Sequence, residues 1–210
     1  ALAELVRLLP APELWQRAAF SAGRILLGFG LGAVCSTLLA AAAWRWTAVE
    51  LLLAPVMQLV KATPVASFII LALVWVSGRS LSVLISFLMV LPVLWGNVSK
   101  GVAQTDPLLL EAARAYRFGR GKTLRLVYLP SVLPYFASGC ATGLGLAWKA
   151  GVAAEVLCQP KLAIGTQLYR AKITLETPDL FAWTAVVIVL SFLLEYVLGF
   201  LFRRLGGGKT

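Results

Sequence analysis

The chain has 210 residues, of which 60% are hydrophobic and only 13% charged, and its mean hydropathy is +0.87. A soluble domain carries about 25% charged residues, so the composition excludes an ordinary soluble domain and points to a polytopic membrane protein, all-α because its apolar runs are continuous rather than alternating. The net charge of +10, with no histidine and three cysteines (Cys35, Cys140, Cys158) lacking metal-ligand spacing, excludes a zinc or haem site and fits basic loops on the cytoplasmic side.

Residues 1–24 mix Leu5, Leu8, Leu9, Leu14 and Trp15 with Glu4, Arg7, Glu13 and Arg17. They predict an extracytoplasmic or interfacial amphipathic segment broken at Pro10 and Pro12. Ile25 to Trp44 carries no charge and is long enough to cross a hydrocarbon core of about 30 Å. Gly28 and Gly32 give it a small-residue contact face. Residues 51–78 predict a helix bent near Pro64, with Lys61 at an interface. Ser80 to Ser99 is a third span, and Leu126 to Trp148 a fourth, with Pro130 and Pro134 in its first turns. Residues 155–179 are polar and predict an irregular loop. Phe181 to Phe202 is the fifth span, closed by Arg203 and Arg204. The domain layout is therefore 1–24 interfacial, 25–204 transmembrane, and 205–210 a cytoplasmic tail.

Between the third and fourth spans lies a basic island, Lys100 to Arg125. Placing it inside puts 11 Lys and Arg residues on the cytoplasmic side and 7 outside. That orientation gives an outside N-terminus, which leads us to expect a further span before residue 1. Asp106-Pro107 is a helix start, since Asp caps free amides and Pro suits the first turn. The helix is expected to end at Gly119 and Gly121, with a second helix from near Lys122 entering the membrane at Leu129-Pro130. A charged helical connector of this length exceeds what a turn needs and suggests a contact outside the bilayer.

Within the fourth helix, Gly139, Gly143, Ala147 and Gly151 recur every four residues. This row fits tight packing or a helix that lines a path. Lys149 and Glu155 favour a path, because charges inside a membrane usually face a cavity or a partner. They lie roughly 120° apart around a helix, so Lys149 is expected to meet an anion, or Glu195 or Glu155 of a neighbour. Lys161, Gln167, Tyr169, Arg170, Lys172, Glu176 and Asp179 would face the outside.

Glu-Ala-Ala at 111–113, followed by Leu-Pro at 129–130, resembles the EAA loop of the permease subunits of binding-protein-dependent ABC importers. The strings at 129–135, 145–155 and 179–184 are similar to the nitrate/sulfonate/taurine branch, and looser similarity runs from about 20 to 204. The resemblance implies a type I importer permease bundle in the bacterial inner membrane. A cytoplasmic ABC ATPase dimer, a second copy of the chain (a homodimer or a heterodimer) and a periplasmic or lipid-anchored solute-binding protein would be its partners. It implies ATPase docking by Asp106, Glu111, Ala112, Ala113, Arg117 and Gly119. Glu111 would pair with a cation on the ATPase, and the two alanines would allow close approach. Lys149, Glu155, Gly143, Gly151 and Lys61 would serve the translocation path. The family's usual glycine, four residues after the second alanine, is Arg117 here, so the turn is expected to shift toward Gly119.

The chain itself is expected to hold no cofactor, with ATP and Mg on the partner. Gly121-Lys122-Thr123 and Gly208-Lys209-Thr210 end like phosphate loops, but Tyr116 and Arg203 stand where the pattern needs glycine. No nucleophile, base or metal constellation supports catalysis. An ion-coupled secondary transporter is the alternative; it would want inverted repeats and intramembrane acids, and only Glu155 and Glu195 are available.

Overall fold

Apolar runs too long for a globular core become the long helices of this protein, in a computed structural model that describes residues 2–205. Residues 206–210 of the expected tail, with the Gly208-Lys209-Thr210 string, lie outside the described residues, as do the side chains of Leu5 and Arg79. A short α1 (Leu2–Leu8) precedes α2 (Pro12–Arg45), and α3 (Thr47–Ala62) and α4 (Val65–Leu73) follow. Then come α5 (Gly78–Ala103), α6 (Pro107–Ala115) and α7 (Arg120–Thr123). A five-residue π-helical turn, Leu124–Tyr128, leads into α8 (Leu129–Cys158), followed by α9 (Ile164–Ile173) and α10 (Thr177–Leu205).

Two expected boundaries change. The chain breaks at Pro10, but α2 runs unbroken from Pro12 for 34 residues, so residues 12–24 are part of the first long helix. Pro12 sits in the helix's first turn, where its missing N–H costs nothing. The expected loop at 155–179 contains α9, because Ile164, Leu168 and Ala171 fall on one helical face and pack inward. The bend near Pro64 is observed: α3 and α4 meet at 98° across Thr63-Pro64.

By length and composition α2, α5 and α10 can each cross a membrane, and the bent α3–α4 pair could make a fourth crossing. The expected fourth span becomes part of α8, which is long enough at 30 residues but has its apolar run interrupted by Pro130, Pro134, four glycines and Lys149, and which packs against α2, α5, α9 and α10. Its buried face is lined by Gly139, Gly143, Leu144, Ala147, Trp148 and Gly151.

Helix α8 runs antiparallel to α2, α5 and α10. Against α5, Gly139 meets Asn97 and Gly151 meets Ser86. The Trp148 indole N–H donates to the Val187 carbonyl of α10 at 3.1 Å, and Phe136 meets Phe202 edge-on. Helices α2 and α5 run parallel, with Gly28 beside Val83 and Ser86, and Gly32 beside Val90. A β-carbon on Gly28 would overlap the Val83 carbonyl oxygen, and one on Gly151 would sit 2.6 Å from Ile25. The first is a backbone approach and the second a side chain seated on the glycine; both are contacts that a larger residue would disrupt. Hydroxyls join the same seams: Ser36 donates to the Leu91 carbonyl at 2.9 Å and Ser86 to the Ala147 carbonyl at 3.1 Å.

One charged cluster is enclosed in the bundle. Glu155 is 0% exposed and its carboxylate lies 3.1 Å from the Arg24 guanidinium. Ser21 donates to the same carboxylate at 2.7 Å, while Ser21 Oγ accepts from the Ile164 amide at 3.0 Å. Arg24 also donates to the Leu162 carbonyl at 2.9 Å. The cluster ties α2, α8 and the start of α9 together.

The turn after α6 sits on Arg117. The Arg117 amide bonds the Arg114 carbonyl at 2.9 Å, and the Phe118 amide bonds the Ala113 carbonyl at 2.8 Å. This is a Schellman closure, which needs a left-handed residue, and Arg117 supplies it at φ 50°. The turn therefore stays where the family's glycine would put it. Gly119 has φ −65° and precedes α7 instead, so the expected shift toward Gly119 does not occur.

Two outcomes follow from this packing. Gly28→Ala should lower the thermal unfolding midpoint of the detergent-purified protein, by about 1–3 kcal/mol of overpacking. Gly30→Ala, with nothing within 4 Å of the added carbon, should leave it unchanged or raised. Arg117→Gly should remove about 1 kcal/mol of left-handed strain, read as slower hydrogen exchange at the 117 and 118 amides. Equal exchange in the two proteins would contradict the strain assignment.

Candidate coupling loop and transport path

The island folds as a short surface helix welded to long ones. Asp106 caps α6, its carboxylate accepting from the Leu108 amide at 2.9 Å. Pro107 takes the first helical position. Leu110 is half-buried and Ala113 is buried, while Leu108, Glu111, Ala112 and Ala115 are exposed. Among the described residues Glu111 makes no ion pair, so its carboxylate is open to an external cation. Ala112 shares that open face. Ala113 does not: it packs inside the loop, contrary to the expectation that both alanines meet a partner. Arg117 and Gly119 are exposed beside the turn.

After Gly119 the chain is helical without interruption from Arg120 to Cys158. The π turn at 124–128 lies just before Pro130, whose ring cannot sit against the residue-126 carbonyl in a regular α turn. Its widened bond runs from the Leu129 amide to the Leu124 carbonyl. The part of the island after Gly119 is thus one continuous helix with α8, and α6 joins it through the turn at 116–119.

The residues expected to serve the path divide into two groups. Lys149 projects from α8 as an exposed side chain, and Lys61 is exposed in the last turn of α3, with its amine near Gly96. Gly143, Gly151 and Glu155 are buried inside the subunit. The glycine row is the packing seam against α5 and α2, and Glu155 is held by Arg24 and Ser21. Among the described residues Lys149 makes no ion pair within its own chain, which leaves it free for the expected anion or for a carboxylate of a neighbour. Nothing local in the sequence marks Arg24 and Ser21 as partners of Glu155, although Ser21, Ile25, Gly28, Gly32 and Ser36 form one buried helical stripe beside Arg24.

At the opposite end from the island, α9 is clamped to α8. The Thr166 hydroxyl donates to the Pro160 carbonyl at 2.8 Å, and the Gly165 amide approaches the Glu155 carboxylate at 3.4 Å. Gln167 and Tyr169 are half-buried, and Lys161, Arg170, Lys172 and Glu176 are exposed. Asp179 is half-buried in the first turn of α10, where an anion is favoured.

Comparison with known proteins agrees with this architecture. A solved amino acid ABC transporter with histidines superposes with a TM-score of 0.68 over 89% of each chain, at 13% identity, which shows a shared fold. The taurine transport system permease protein TauC of Escherichia coli is 28% identical over 193 residues, 91% of this chain and 70% of that protein. The putative aliphatic sulfonates transport permease protein SsuC of Bacillus subtilis is 28% identical over 92% of this chain and 70% of that protein. The bicarbonate transport system permease protein CmpB of Synechococcus elongatus is 26% identical over 75% of this chain and 56% of that protein. The family described as binding-protein-dependent transport system inner membrane component matches residues 32–207. That match spans most of the chain, and with the helical bundle it shows that the chain belongs to this family, as a permease subunit of an ABC importer.

Proposed function

We propose that this permease carries a small anionic solute across the inner membrane, driven by a separate ATPase that docks on the exposed face of α6. The observation that carries the reading is the α6 geometry: Glu111 and Ala112 are open to the outside, while a continuous helix joins the far side of the loop to the centre of the bundle. A short helix fixed in this way transmits closure of a partner as a rigid-body movement. The loop side is cytoplasmic in this reading, and ATP and Mg are bound by the ATPase dimer. The α9 side receives solute from a binding protein. Two copies of the chain pair around the path, which opens alternately to either side.

Lys149 and Lys61 are the path cations. Both are exposed on the single subunit, so a paired copy could enclose them beside the solute. The anionic substrate class rests on these two charges and on the taurine, sulfonate and bicarbonate named in the relatives. A cation in a low-dielectric path strengthens its attraction to an anion.

Two substitutions test the assignment. Glu111→Lys should cut solute uptake at least about tenfold, the scale of reversing one charge of an interfacial pair, with the protein still present in the membrane. ATPase co-purification should fall with it; unchanged uptake and assembly would refute docking through Glu111. Lys149→Met should raise the KM for uptake with little change in assembly, and uptake kinetics identical to the parent would remove Lys149 from the path. Transport by the purified chain without an ATPase would overturn the whole scheme.

A further inference from the structure

The inner face of the island lines an open cavity of about 600 Å³ that docking through Glu111 does not use. It lies between the end of α2, the buried side of α6 and the start of the helical run at Arg120. Arg45, Arg114 and Arg120 line it together with Trp44, Phe118 and Tyr128, and no carboxylate does. Among the described residues none of the three guanidiniums makes an ion pair. Trp44 and Tyr128 pack edge-on at 4.8 Å, forming an aromatic wall.

The chemistry of this cavity is that of a membrane-interface anion site. Guanidinium is planar, always charged and matched to phosphate oxygens. Trp and Tyr settle at the level of lipid headgroups. Leu124, which lines the cavity, and Leu129 beyond it are each more than half exposed, and the bond from the Leu129 amide to the Leu124 carbonyl stacks one over the other. An apolar surface therefore continues from the cationic chamber toward the bilayer. A free anion would need the arginines and leave this surface unused. A neutral apolar ligand would leave three cations unpaired. A phosphodiester carrying acyl chains satisfies both.

We propose that this cavity seats the phosphate headgroup of an anionic phospholipid, held by Arg45, Arg114 and Arg120, with its acyl chains along Leu124 and Leu129. The lipid would sit behind α6, on the opposite side from Glu111 and Ala112, and brace the loop that the ATPase engages. This goes beyond the transport function and depends on it only for which leaflet supplies the lipid.

The test uses the full permease purified in detergent and titrated with phosphatidylglycerol or phosphatidylcholine, with bound lipid read by native mass spectrometry. Phosphatidylglycerol should bind more tightly than phosphatidylcholine. Arg45→Gln with Arg120→Gln should weaken it roughly 30-fold, about fivefold per basic residue. Arg125→Gln, a charge loss in the same island outside the cavity, should leave binding within about twofold. Equal binding of the two lipids would overturn the proposal, as would equal weakening by Arg125→Gln. Full competition by millimolar glycerol phosphate would show a soluble-anion site instead, and loss of ATPase association in lipid-free protein carrying the double substitution would assign the cavity to a protein contact. The titration needs neither the ATPase nor a membrane orientation, so its failure would leave the transport assignment standing.

Discussion

Helices in a bilayer gain almost nothing by moving apolar surface from lipid to one another, so close contact has to hold them. This bundle depends on that constraint at the seams of α8 with α2 and α5. Gly28 brings α2 against the α5 backbone, and Gly32, Gly139 and Gly151 admit Val90, Asn97 and Ile25 into space that a β-carbon would fill. Dispersion between many atoms at short range then replaces the missing hydrophobic drive. Ser36 and Ser86 add bonds to carbonyls across the same seams. Once α8 is fixed, the positions of the island, α9 and the exposed Lys149 follow, because all of them hang from its two ends or its outer face.

The Arg24–Glu155 pair adds a different kind of constraint. Two buried charges lose their hydration, and their attraction repays that loss only with further hydrogen bonds. Ser21 and the amides at the start of α9 supply some of them. Such a pair adds little net stability but strongly disfavours any arrangement that separates α2 from α8, since separation would strand a charge. The end of the bundle opposite the island is therefore specified more tightly than its apolar packing alone would require.

Much of the architecture was legible in the sequence because it rests on periodicities of short range. The long apolar runs, the break at Pro10, the bend at Pro64 and the cap at Asp106 each depend on residues within a turn or two. The island's place as a surface helix followed from its charge and its Asp-Pro start. Misreadings arose where a long-range partner decides the outcome. Glu155 looks like a path residue until Arg24, more than a hundred positions earlier, is brought beside it. The glycine row is compatible with packing or with a moving path until Ile25 and Ser86 occupy the space. Arg117 shows a local rule overridden: glycine propensity pointed to Gly119, yet the hydrogen bonds of the closure hold a non-glycine residue in the left-handed position. Helix α9 was hidden because its polar side is long and its apolar face is only three residues deep.

The inner position of α8 also bears on how the protein is made. A helix carrying Lys149, Glu155 and a row of glycines partitions into lipid less readily than α2 or α5, since each charge near the centre of a span opposes insertion by about 2.5–3.5 kcal/mol. Synthesis runs in chain order, so α2, the α3–α4 pair and α5 leave the ribosome before α8 does. A groove of backbone carbonyls and small side chains, with Arg24 in it, is then already in place for the fourth helix to enter. The order of segments along the gene thus supplies α8 with a protein solvent in place of a lipid one, and a permuted chain that began with α8 would have to insert it without that help.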